Sequence, residues 1–280
     1  MAENQRIVIS SKFRIFDFKL GELIKYRDLI FLFLKRNYST RYKQTILGPA
    51  WLIITPLLTV CMQTLIFGKL AGLSTDGVPL VLFYLAGNII WIYFANIVSG
   101  CAGTFLGNAF IFGKVYFPRL VAPLSHILTC TADFFIQFLL FLAFEFVYAF
   151  KIGTFYFSWR IVLLPVLLFQ LAILGMGVGL IISAITAKYK DLQVLVSFGL
   201  QFWMYATPVV YSTSIIPREY SKFFALNAAT PSVVLFKNLF FGTNSEYFSY
   251  LPCAFLISLV FLFWGIILFN KAERTFLDTI

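Results

Sequence analysis

KRNYSTRYKQTILGPAWLIITP, residues 35–56, is where the chain passes from a water-facing to a lipid-facing composition. Lys35, Arg36, Arg41 and Lys43 stand on its near side, and no charged residue occurs from Gln44 to Gly68 on its far side. Pro49 falls where the first turn of a helix is expected, a position at which its missing N–H removes no helical hydrogen bond. Trp51 stands where an amphipathic ring meets lipid headgroups. The stretch reads as the anchored start of a membrane-spanning helix.

The whole composition agrees. Of 280 residues 60% are hydrophobic and 12% charged, against about 25% charged in soluble domains, and the mean hydropathy is +0.88. This is an integral membrane protein. The net charge of +10 is concentrated before the first span, so acidic lipid headgroups are the expected partner rather than nucleic acid. Cys61, Cys101, Cys130 and Cys253 lack Cys-x-x-Cys spacing, and His126 is the single histidine. Neither a disulfide framework nor a zinc site is expected. The first 43 residues are charged throughout, so the chain is expected to keep its N-terminus.

A helix crossing ~30 Å of hydrocarbon needs about 20 apolar residues. Six stretches qualify, at roughly 49–70, 80–104, 122–148, 161–186, 192–211 and 249–269. With the N-terminus inside, the inner segments hold sixteen Lys and Arg against six in the outer ones, which makes that side cytoplasmic and both termini with it. Before the first span, Leu23, Tyr26, Ile30, Phe33 and Leu34 share a helical face opposite Lys25, Asp28, Lys35, Arg36 and Ser39, with Leu32 the exception. A helix over 22–43 lying in the inner interface is expected, although a plain topology anchor would look the same.

Two connections are unlike loops. The inner one, GNAFIFGKVYFPRLVAP at 107–123, is apolar yet carries Lys114 and Arg119, and Gly113 and Pro118 interrupt it. It is too short to cross and is expected to press a short helix against the inner face or a partner. The outer one, 212–249, holds two apolar pieces broken near Pro231. Non-crossing helices that dip into the outer leaflet or roof a cavity would explain it. Gly68/Gly72, Gly103/Gly107 and Gly175/Gly179 have the spacing of close helix packing. No repeat or second domain is evident, so residues 1–280 read as one domain.

Motifs for chemistry fail. Gly107 to Lys114 is not a phosphate-binding loop, because five residues separate Gly107 from Gly113 and Val115 stands where a hydroxyl should hold magnesium. No nucleotide, metal or cofactor site of the chain's own is expected. Asp133 and Glu145 are the carboxylates inside a predicted span; Asp133 is either a hydrogen-bonded structural residue or a pathway residue, and Glu145 an interfacial one. His126 reads as a packing residue. Aromatics make up 19% of the chain. Among them Tyr84, Trp91 and Tyr93 in the second span, and Trp203, Tyr205 and Tyr211 in the fifth, offer flat apolar faces and polar tips suited to sugars, and Phe202 beside them offers an apolar face. An interfacial belt or plain packing would use the same rings.

Three stretches carry a family resemblance: RYKQTILGPAW at 41–51, FGKVYFPRL at 112–120, and FWMYATPVVY at 202–211 followed by Ile216-Pro217. From about residue 20 to 275 the chain resembles the transmembrane subunit of bacterial ABC-2 exporters, in particular the O-antigen and teichoic-acid polysaccharide exporters. The resemblance implies an all-α integral membrane fold, with a six-span bundle over 49–269, an interfacial helix at 22–43, a cytoplasmic coupling helix at 108–121 and outer re-entrant gate helices at 213–242. It implies a homodimer in the bacterial cytoplasmic membrane, working with two copies of a separate ATPase that holds ATP and Mg and does the hydrolysis.

The implied substrate is a polysaccharide on a polyprenyl diphosphate. Asn108, Lys114, Tyr116, Phe117 and Arg119 would then face the ATPase, Arg36, Arg41 and Lys43 would attract the lipid diphosphate, and the seven rings would line the path. One departure is Asn227-Ala-Ala-Thr-Pro231, where the family often has Asn-Pro; Ala228 leaves that turn less rigid. An ABC-2 exporter of a small amphipathic molecule shares the fold. An ion-coupled secondary transporter would need more carboxylates than Asp133 and Glu145.

Overall fold

The computed structural model describes residues 25–43, 45–115, 117–153, 159–217, 219–242 and 246–277, and every regular element among them is helical. The first is α1 (Arg27–Tyr42); the expected helix start at residue 22 lies outside the described residues. At the basic junction Gly48 adopts a left-handed φ of 45°, a conformation glycine takes without steric cost. The chain turns there, makes one 3-10 turn over Gly48–Ala50 with Pro49 inside it, and enters α2 (Trp51–Gln63). A wider-wound segment, Thr64–Leu70, continues it.

There follow α3 (Leu80–Ala102), α4 (Thr104–Phe112), α5 (Val121–Ile152), α6 (Leu164–Thr186), α7 (Leu192–Tyr205), α8 (Ser221–Leu226), α9 (Ala229–Phe241) and α10 (Leu251–Leu277). Five stretches among the described residues are long and apolar enough to cross a membrane: Gly48–Leu70, Leu80–Ala102, Val121–Lys151, Arg160–Thr186 and Glu246–Glu273. The sixth expected span, 192–211, is helical only as the 14 residues of α7. At 1.5 Å per residue that is about 21 Å, short of the ~30 Å of hydrocarbon. Pro208 gives the reason, since a proline disfavours helical geometry in the residue before it.

In lipid there is little hydrophobic gain from bringing helices together, so small residues and internal polar bonds must do it. The centre of the bundle is α6, packed most extensively on α10 and then on α3. Its glycines alternate between the two. A β-carbon on Gly175 or Gly179 would strike Ile97, Cys101 and backbone of α3, and one on Gly177 would strike the backbone of α10 at Phe261 and Leu262, where Gly265 reciprocates. The other expected pairs differ. Gly68 backs onto Leu80, but Gly72 is a left-handed turn residue and Gly107 has open space beside it.

The outer connection forms a compact hairpin. Every residue of α9 is buried. Phe236 and Phe240 of α9 interleave with Phe134, Phe138 and Phe141 of α5, at centroid distances such as 4.8 Å for Phe141–Phe240 and 6.1 Å for Phe134–Phe236. Such pairs contribute about 0.5–1.5 kcal/mol each beyond area burial. Below them, buried Gln170 of α6 accepts from Ser232 Oγ at 2.6 Å and donates to Ser258 Oγ at 2.8 Å and to the Ala228 carbonyl at 3.1 Å. One side chain thereby ties α9 and α10 to the central helix.

Candidate functional site

Helix α1 lies along α5. Its stripe of Tyr26, Ile30 and Phe33 packs on protein, with Phe33 buried edge-on against Phe117 at 5.5 Å, while Phe31 and Leu32 point outward. Arg41 Nη1 reaches Asp133 Oδ2 at 2.5 Å, Tyr38 Oη donates to Asp133 Oδ1 at 3.2 Å, and Arg36 Nη2 donates to Asn108 Oδ1 at 2.7 Å. Burial, and then the Asp133 charge, raise the Tyr38 phenol pKa, so it stays a donor. Burial lowers that of the Arg36 guanidinium. These bonds join α1 to α4 and α5. Two of the three cations expected to await a lipid diphosphate are thus engaged within the chain, Arg41 by the buried Asp133 carboxylate, which requires a partner, and Arg36 by the Asn108 amide. Arg41 nevertheless keeps 45% of its side-chain surface, and Lys43 is exposed.

The 107–123 connection corrects the expected helix over 108–121. Its helix is α4, ending at Phe112 where Gly113 begins a turn, and Pro118 precedes the start of α5. Lys114 and the ring of Phe110 form an exposed pair, the ammonium 3.6 Å from the centroid. Phe117 and Arg119 are buried instead. Arg119 donates to the Glu273 carbonyl at 3.2 Å, pairs with the Glu273 carboxylate at 3.4 Å and covers the Phe112 ring. Of the five residues expected to face a partner, Lys114 is exposed, Asn108, Phe117 and Arg119 brace the segment against α1 and α10, and Tyr116 lies outside the described residues. Phe110 was missed; its signal was a large apolar residue within a helix too short to cross.

The seven rings expected on one path separate into three on α3, three on α7, and Tyr211 beyond the end of α7, which donates to the Tyr205 carbonyl at 2.9 Å. Tyr84, Trp91 and Tyr93 are core side chains of α3, and Tyr93 Oη bonds with Thr131 and the Leu168 carbonyl. Helix α3 is enclosed by α5 and α6, so these three face protein. On α7, by contrast, Phe202 is 75% exposed and Tyr205 is exposed. Trp203 lies between, edge-on to Phe94 at 5.1 Å, and forms a wall of two apolar hollows of about 470 and 340 Å³. Its indole N–H donates to Asn227 Oδ1 at 2.9 Å, and Asn227 Nδ2 donates to Thr207 Oγ1 at 2.9 Å. Asn227 also accepts from the Ala229 N–H, so the turn that Ala228 was expected to loosen is closed by side-chain bonds.

Beyond Pro208 the carbonyls of a broken helix need donors, and Lys237 of α9 supplies them. Its Nζ donates to the carbonyls of Pro208 at 2.8 Å and Val209 at 2.7 Å and sits 3.8 Å from the centroid of Phe83. A β-carbon on Gly87 would occupy the place of the Val209 oxygen. Nearby, Asp76 of the connection over 71–79 accepts from Ser212 and, at 2.7 Å, from Ser214. Burial pushes the Asp76 carboxyl pKa up, but the bonds from Ser212, Ser214 and Ser74 outweigh it and leave it below its ordinary value. The end of the α7 segment is therefore fastened to the connection that follows the first span. Sequence reasoning counted Lys237 only as an outer cation; its place within VVLFKNLFF was the available signal. No metal-holding group of His, Cys, Asp or Glu occurs among the described residues.

Comparison with known proteins matches residues 28–241 to the ABC-2 type transporter family. The chain is 27% identical over 261 residues to an O-antigen export system permease protein, RfbA, of Klebsiella pneumoniae, covering 93% of this chain and 97% of that one. It is also 27% identical to the protein of the same description from Myxococcus xanthus, covering 92% and 98%.

Proposed function

As the chain belongs to the ABC-2 type transporter family, we propose that it is the channel-forming subunit of an ATP-driven exporter that moves lipid-linked polysaccharide of the O-antigen kind out of the cytoplasm. The observation that carries this is the end-to-end similarity to export permeases, which leaves almost no length of either chain unmatched. ATP and Mg would be held by a separate ATPase. A homodimer in the cytoplasmic membrane with two such ATPases is the assembly we propose, with both termini inside and α7 and its following turns as a sixth crossing.

Three surfaces take roles in this reading. The exposed Phe110–Lys114 pair meets the ATPase. The open face of α7, with Phe202, Trp203 and Tyr205, contributes to the conduit, where rings would let a glycan slide. Lys43 and the exposed part of Arg41 favour the carrier diphosphate at the inner headgroups. Deleting the chain and extracting the lipids tests the whole reading: lipid-linked polymer should accumulate on the cytoplasmic side and return to normal on complementation. No accumulation would refute it. Charge reversal at Lys114 should then reduce ATPase co-purification without reducing membrane insertion.

A further inference from the structure

A cavity of about 640 Å³ opens on the outer side between the 71–79 connection, the segment after α7, and α9. We propose that it binds a short stretch of carbohydrate, an inference that rests on the reading of the chain as a polysaccharide exporter and adds a specific outer site to it. The size lies within the range of ligand pockets, about 300–1,000 Å³. The lining decides the class. Tyr211, Tyr247 and Tyr250 contribute rings, and Tyr247 and Tyr250 stand 6.1 Å apart and inclined at 55°, so they do not stack on each other. Around them are the carboxylates of Asp76 and Glu246 and the amide of Asn238.

Three ligand classes can be weighed against this wall. A diphosphate would want uncommitted cations. Lys237, in the floor, is already bonded to two carbonyls and covered by Phe83, and the second ammonium, exposed Lys222, shares the lining with two carboxylates that offset its charge. An acyl chain would want an apolar wall, yet Ser212, Thr213 and Ser214 add hydroxyls to this one. A sugar presents apolar C–H faces and hydroxyls that both donate and accept, which matches the three tyrosine rings with Glu246, Asn238 and Thr213 among them and no net positive charge, while Asp76, Ser212 and Ser214 bond one another and shape the rim. The buried polar side chains, Asn238 and Lys237, also make the wall rigid, so the site is preformed.

The test uses the purified chain with its ATPase in lipid nanodiscs, carrying Ser214→Cys at the exposed rim of the cavity. Short oligosaccharides released by partial acid hydrolysis of the host's own surface polysaccharide are the probe, and inorganic diphosphate and a short-chain phospholipid are the comparisons. The oligosaccharide should slow labelling of the cysteine by a water-soluble maleimide, with half-protection shifted about three- to tenfold higher in concentration by Tyr247→Ala, the effect of losing one aromatic platform. Glu246→Gln, at an exposed position, should shift it in the same direction while leaving the thermal unfolding midpoint unchanged, which guards against misfolding at Tyr247. Protection by diphosphate or phospholipid but not by oligosaccharide, no protection at all, or equal protection in both variants would overturn the proposal. Polymer accumulation in the deletion strain together with no protection would sink the site alone; protection without accumulation would keep the site and sink the export reading.

Discussion

Two of the cations that brace this bundle, Arg41 and Lys237, do so in opposite surroundings. Arg41 of α1 meets Asp133 with almost half of its side chain still open to solvent, while Asp133 keeps 3%. Lys237 of α9, by contrast, is buried against two carbonyls and a phenyl ring. Water can replace Asp133 around Arg41 if the two separate. Nothing comparable can replace Lys237 around the Pro208 and Val209 carbonyls without opening the roof. The Arg41 contact can open at smaller cost, and the Lys237 contact is a fixed support for the end of α7.

That contrast predicts its largest effect at Lys237. Lys237→Leu removes the donor from two buried carbonyls, each costing about 1–3 kcal/mol when left unpaired. Thermal unfolding of the detergent-purified protein should reveal a loss of about 2–6 kcal/mol and a lower folded yield. Gly87→Leu should fail in the same way by displacing the Val209 carbonyl. A Lys237→Leu protein as stable as the parent would mean that the roof does not depend on this lysine.

At the Arg41 contact the two partners should behave unequally. Arg41→Leu strands a carboxylate that is already buried, and breaking such a pair costs up to about 3–5 kcal/mol when both charges are buried; here Tyr38 still donates to Asp133, so a loss of about 2 kcal/mol is expected. Asp133→Asn leaves an arginine that can turn to water, with a loss of about 0–1 kcal/mol as for exposed pairs. Matched denaturation curves of the two variants measure the difference. Equal losses would show that the half-exposure of Arg41 has no energetic meaning.

Both contacts bear on what a sequence can disclose. The basic junction, the Gly175/Gly179 packing and the apolar character of the outer hairpin follow from local chemistry, because composition and spacing alone determine which solvent a stretch tolerates. Partners do not. Nothing along the chain says that Arg41 meets a residue 92 positions away, or that Arg119 turns back to Glu273 rather than out to a partner. The rings of α3 and α7 illustrate the same gap: Trp91 and Phe202 look alike as residues near polar neighbours. Their fates diverge because α3 is enclosed by two helices and α7 is not. The length of α7 is legible in Pro208, three residues beyond its last helical residue.

The smallest effect belongs to Asp76, which fastens the outer connection from an exposed position. Its carboxyl lies below its ordinary value because the hydroxyls of Ser212, Ser214 and Ser74 bond the charged form more than burial penalises it. A group whose folded pKa is depressed stabilises the fold fully above its unfolded pKa, about 3.9 for Asp, and loses that contribution as pH falls through the folded value. The unfolding midpoint of the parent should therefore exceed that of Asp76→Asn by a constant amount from pH 8 down to about 5, and the gap should close below about pH 4. The gap should be smaller than that produced by either Lys237→Leu or Arg41→Leu, since water can compete for an exposed carboxylate. A gap that widened on acidification would mean that protonated Asp76 makes the better clasp, and that the charge contributes nothing to holding the end of α7.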